Sequence, residues 1–266
     1  MRLAFVSTLL LTTFFAACGD DGNNAPPDGS LADAAPPVDA LPPFDCETSP
    51  STGTHKVFLQ FEGVTLTHAE ISDATQNRSS VIDEKVTATI PAWRPEDPER
   101  EAHIQAVVCS LRETLYPYDV EVVTTRPASG DYEMVVLGGR GTDLGIDQSP
   151  ATTLNALATT PCARGPNARE VAWVAEFPTT QAFQLDLIDT ANMVAYTLGI
   201  NSRLNFSHSG RNCMCHPIFS DEFCDTRRTC EFQEASLIPE QGHVCGGSNI
   251  AENQIMKLRE RYGARR

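Results

Sequence analysis

Positive charge is scarce in this sequence. Twenty lysines and arginines stand against 35 aspartates and glutamates, giving a formal net charge of −15. Nucleic acid is bound through a basic footprint, so this balance excludes that class of partner. Long apolar runs are also missing. The stretch at residues 3–15 is the most apolar, and it falls short of the about 20 residues needed to cross a bilayer. No internal repeat is visible. No G-x-S-x-G elbow is present, which removes the usual setting of a nucleophilic serine in α/β-hydrolases. The glycine-rich stretch Gly138-Gly139-Arg140-Gly141 lacks the G-x-G-x-x-G spacing of a dinucleotide loop, and no helical periodicity follows it at once, so it is expected to be a structural turn.

The first residues do not belong to a fold. Arg2 supplies a short positive region, residues 3–15 an apolar one, and Ala16-Ala17 the small residues that precede Cys18. That is the layout of a secretory leader over residues 1–17. The end FAAC resembles a bacterial lipobox, with Phe15 where Leu is more usual, and it implies lipidation of Cys18 and a membrane as partner. Gly19 rather than Asp follows Cys18, which points to the bacterial outer membrane by analogy with enteric sorting. Residues 18–45 hold acidic residues and three Pro-Pro pairs but no aromatic residue before Phe44, and are expected to form a disordered spacer. The globular domain is expected over 46–266. Nine cysteines become eight once Cys18 is set aside: Cys46, Cys109, Cys162, Cys213, Cys215, Cys224, Cys230 and Cys245. In an exported, oxidising compartment an even set reads as disulfides, with the pairing open.

Within the domain, periodicity predicts a strand at 55–62 with Val57, Leu59 and Phe61 alternating, and a short strand at 86–90. A helix follows over 98–115 with Ile104, Val107, Val108, Leu111 and Leu115 on one face. Further strands are expected at 119–125, 132–137 and 170–177, the last a continuous apolar run suited to burial on both faces. Residues 72–80 and 142–166 read as loops. A helix is expected over 181–199, capped by Gly199, and a last helix over 249–262. Together these elements make a mixed α/β (α+β) fold: a twisted mixed sheet, a long helix, a second helix beneath the sheet and a disulfide-rich C-terminal part.

The most informative stretch is 189–202, DTANMVAYTLGINS. Aligning Gly199 with the glycine of H-E-x-x-H-x-x-G-x-x-H places Asn192 and Tyr196 at the first two His positions, Met193 at the Glu position and Ser202 at the third ligand position. Downstream, Asn212-Cys213-Met214 stands where such chains carry a methionine-containing turn. On these residues, and on the strands FLQFEG, DVEVVTT and MVVLGG, the chain resembles the metzincin-type zinc metalloproteases, in their bacterial exported lipoprotein form, over roughly 56–263. The resemblance implies a metzincin-like fold. Zinc in that family needs two His one helical turn apart and a Glu to take a proton from bound water. Asn192, Met193, Tyr196 and Ser202 supply neither an imidazole nor a base.

The expectation is therefore a pseudoenzyme: no catalytic residues, no metal and no cofactor. Such a chain would be a lipid-anchored protein that uses a metzincin-like cleft, or another face, to bind a peptide, a protein or a cell-wall component. Two alternatives remain. One is an active zinc peptidase with atypical ligands, for which His208 and His216 beside Met214 are the candidate substitutes. The other is a purely structural envelope lipoprotein. Cys213-x-Cys215-His216 lacks the C-x-x-C-H spacing of haem attachment and is expected to hold disulfides rather than metal.

Overall fold

The computed structural model describes residues 42–82, 87–146, 156–159, 161–163, 165, 167–176, 187–207, 210–215, 228–236, 245 and 251–265. The leader, Cys18, the spacer up to residue 41, residues 181–186, His208, His216 and Cys224 lie outside them.

The main sheet is built from five strands: β1 (His55–Gln60), β5 (Val120–Val123), β6 (Glu133–Leu137), β7 (Ala156–Leu157) and β8 (Val171–Val174). Their order is β5-β1-β6-β8-β7. The first four are mutually parallel and β7 is an antiparallel edge. Parallel strands bury both faces, and all of β6 and β8 is buried. Alternation then sorts the side chains. Val57, Leu59, Val135, Leu137, Ala172 and Val174 face one cluster, while Phe58, Met134, Val136, Val171 and Trp173 face the other.

Helices cover the first face. α1 (Arg100–Leu115) presents Ile104, Val107, Leu111 and Leu115, all buried, as its periodicity predicts. α2 (Leu187–Asn201) packs beside it and against β8. A small sheet covers the second face: β2 (Val64–His68), β3 (Arg78–Ser79) and β4 (Thr87–Ile90), in the order β3-β2-β4. Leu66, Ala88 and Ile90 pack there against Phe58 and Trp173. Burial of one such Leu or Ile side chain contributes about 1.5–3 kcal/mol. The C-terminal part adds β9 (Glu234–Ser236), its antiparallel partner β10 (Ala251–Asn253) and α3 (Gln254–Tyr262), whose first turn is capped by the Asn253 side chain.

Several sequence expectations change. Residues 72–80 are not an open loop: a 3-10 turn at Ala74–Gln76 leads into β3. Residues 142–166 likewise hold part of a 3-10 turn, Gly141–Leu144, and β7. Gly138 and Gly139 form a turn with φ of 122° and 65°, and a Cβ on Gly138 would lie 2.6 Å from the Pro91 carbonyl oxygen. Three disulfides are defined: Cys46–Cys109, Cys162–Cys245 and Cys213–Cys230. Cys215 is disulfide-bonded as well. Contacts of the domain begin before Cys46, since Phe44 meets the Tyr116 ring at 5.3 Å.

Candidate functional site

Asn192, Tyr196 and Gly199 fall on one stripe of α2, because residues three and four apart share a helix face. Each position is occupied by the chain's own C-terminal segment. The Asn192 amide is used at both ends: its Nδ2 donates to the Arg228 carbonyl oxygen at 2.9 Å, and its Oδ1 accepts from the Cys230 N–H at 2.9 Å. Cys230 is in turn bridged to Cys213. Its carbonyl oxygen accepts from the Thr114 hydroxyl on α1 at 3.1 Å. Tyr196 lies flat on Phe206, with ring centroids 5.9 Å apart and an interplanar angle of 10°. Burial raises the pKa of its hydroxyl well above the usual phenol value, so the ring is a neutral packing element. Segment 204–207, which carries Phe206, is pinned where Glu252 accepts from the Asn205 N–H at 2.7 Å. Met193 is buried in the helix-side core.

Met214 lies directly under Gly199, where an added Cβ would overlap its Sδ. Asn212 forms the turn that places it: Asn212 Oδ1 accepts from the Met214 N–H at 2.8 Å, and Asn212 Nδ2 donates to Gln254 Oε1 at 3.0 Å. The juxtaposition of the motif glycine with the downstream methionine is thus present. The role expected of Gly199 is not. The helix runs past it to Asn201. The left-handed residue is Arg203, at φ 61°. Arg203 N–H bonds to the Ile200 carbonyl and Leu204 N–H to the Gly199 carbonyl, each at 2.9 Å, which together make a Schellman cap. Gly199 is glycine for close packing against Met214, and its cap assignment is corrected.

The position of this cap bears on Ser202. It lies ten residue steps along the chain from Asn192, about 15 Å along the axis. Its hydroxyl donates to the Leu198 carbonyl at 2.7 Å. Metal–ligand bonds are about 2 Å long, so Asn192 and Ser202 do not share one ion. With both ends of the Asn192 amide committed, Met193 buried as a thioether and Tyr196 a neutral phenol, these residues do not fit zinc. Among the described residues, no three His, Cys, Asp or Glu side chains converge.

Beyond the end of α2 lies a group that periodicity did not flag. Glu133, the first residue of β6, is buried and accepts at Oε1 from Arg261 Nη2 at 2.7 Å and from the Tyr262 hydroxyl at 2.9 Å. Arg261 also donates to the Asn201 carbonyl, which joins α3 to the last turn of α2. Burial opposes the Arg261 charge, but Glu133, Tyr262 and Glu170 together outweigh it and hold the guanidinium pKa above its ordinary value. A signal was available: Glu133 is the one charged residue in the apolar run YEMVVL.

A cavity of about 410 Å³ is lined in part by Cys230 of the Cys213–Cys230 bridge. Buried Tyr118 and Phe232, packed edge-to-face at 6.3 Å, are among its lining residues, with Glu113, Glu231, Glu234 and Arg211. Arg211 is paired with Glu231 at 2.8 Å. Comparison with family models, with curated protein sequences and with solved structures finds no match to this chain.

Proposed function

We propose that this is a non-catalytic, exported lipoprotein, anchored through Cys18, that keeps a metzincin-like scaffold and acts by binding. The observation that carries this reading is the bonding of Asn192. The residue at the first ligand position of the motif clamps Arg228 and Cys230, and the stripe around it is covered by Phe206 and Met214. The mixed sheet, the helix that follows β8 and the methionine turn under Gly199 support the scaffold part of the reading.

The cavity beside the bridge supports the binding part. It combines an aromatic pair with a rim in which Glu113 and Glu234 have no basic counterpart among the described residues. Such a site suits an apolar side chain flanked by Lys or Arg in an extended peptide. Two measurements test the proposal. Incubation with an unstructured protein is expected to give no cleavage, with or without chelator; chelator-sensitive cleavage overturns the non-catalytic reading. Short basic-apolar peptides are expected to bind saturably and to weaken about tenfold or more on combined Glu113→Lys and Glu234→Lys. Binding indifferent to those changes removes the cavity from the account.

A further inference from the structure

A second cavity, of about 540 Å³, lies on the other side of the main sheet from α1 and α2. It is formed where residues 124–132 connect β5 to β6. The connection crosses β1 on its Phe58 face, because β5 and β6 flank that strand. Arg126 lies over the Phe58 ring at 5.6 Å. Asn77, itself left-handed at φ 54°, holds the guanidinium through a bond from Arg126 Nη2, which also reaches Met134 Sδ at 3.5 Å.

The two arginines of this cavity are in different states. Arg169 is neutralised by Asp131 at 2.7 Å and Asp73 at 3.3 Å. Arg126 has no carboxylate within ion-pair distance among the described residues, and its bonds there all use Nη2. A guanidinium carries five N–H donors, so those on Nε and Nη1 have no acceptor among the described residues. Beside them the turn through Ser129 and Gly130 is exposed, and its backbone N–H groups bond to no described residue. A Cβ on Gly130 would meet nothing within 4 Å. A half-buried, stacked arginine with no carboxylate partner among the described residues is unusual in a chain of net charge −15. Its fixed fork and the adjacent N–H groups match the oxygens of a small oxyanion.

We propose that this cavity is an oxyanion site, in which Arg126 and the 128–131 turn bind a carboxylate or phosphate group. The inference is independent of the reading of the α2 stripe and of the cavity beside the Cys213–Cys230 bridge. The test is a titration of the exported chain, followed by amide chemical shifts, with inorganic phosphate in one arm and succinate in the other at constant ionic strength. Saturable shifts confined to residues 75–77 and 126–132 are expected in at least one arm, and the arm that saturates identifies the source. Arg126→Met keeps an apolar cover over Phe58 and is expected to weaken binding at least tenfold. Arg126→Lys keeps the charge without the fork and is expected to weaken it by a smaller factor. Absence of saturation in both arms overturns the proposal. So does unchanged affinity in Arg126→Met, or in Arg126→Lys if the Met variant does not fold.

Discussion

The stripe on α2 and the cavity at Arg126 both place polar side chains on an apolar scaffold, and they differ in what those side chains bond to. On α2, Asn192 holds two backbone groups of the chain itself, and Tyr196 is covered by Phe206. At the 124–132 connection, Arg126 is held by Asn77 and Phe58 and lines a cavity, and its other donors have no acceptor among the described residues. The stripe carries a recognisable motif spacing and is closed. The cavity carries no motif and is open. A motif-like spacing along a helix thus need not be open to a ligand, whereas donors without an acceptor among the described residues mark a place where one can enter.

This contrast can be broken at its most buried point. Arg261 ties α3 to the end of α2 and neutralises Glu133. Arg261→Met leaves that carboxylate buried without its cation, and a loss of about 3–5 kcal/mol is expected in denaturant unfolding. A loss below about 1 kcal/mol would show that the C-terminal segment is not fastened there. Asn192→Ala comes next. It strips partners from the Arg228 carbonyl and the Cys230 N–H and is expected to cost about 1–3 kcal/mol, with faster hydrogen exchange at the Cys230 amide. The smallest effect is expected at the open site. Arg126→Met is expected to cost about 0.5–1 kcal/mol, because it gives up the bond to Asn77 while keeping an apolar cover over Phe58. Equal costs at Asn192 and Arg126 would erase the distinction between the two regions.

The parts of the fold that were legible follow local rules. The face of α1 shows in Ile104, Val107, Leu111 and Leu115, and the burial of β8 shows in its unbroken apolar run. β2 was missed although Val64 and Leu66 alternate after Gly63, because only Leu66 of its five residues is buried and its partners β3 and β4 lie elsewhere in the chain. β3, β7, β9 and β10 are only two or three residues each, and their existence depends on partners distant in the chain. The helix end was misplaced for a related reason. Gly199 has the residue type of a cap, but contact with Met214 uses it for packing, and the turn falls on Arg203, a residue type that rarely adopts that conformation. The candidate site was legible as a spacing and not as a bonding pattern: nothing local to Asn192 announces Arg228 and Cys230, which lie 36 and 38 residues away. Cys46–Cys109 and Cys162–Cys245 close spans of 63 and 83 residues, beyond any local rule.

The central claim is that the stripe on α2 is committed to the chain's own fold and holds no zinc. Calorimetric titration of zinc into the metal-free chain, repeated with Asn192→Ala, Tyr196→Phe and His208→Ala, tests it most directly. No stoichiometric binding tighter than about 10 μM is predicted for the native chain, a threshold far weaker than the about 10–16 kcal/mol of structural zinc sites. One equivalent of tightly held zinc, weakened by any of the three substitutions, would contradict the account.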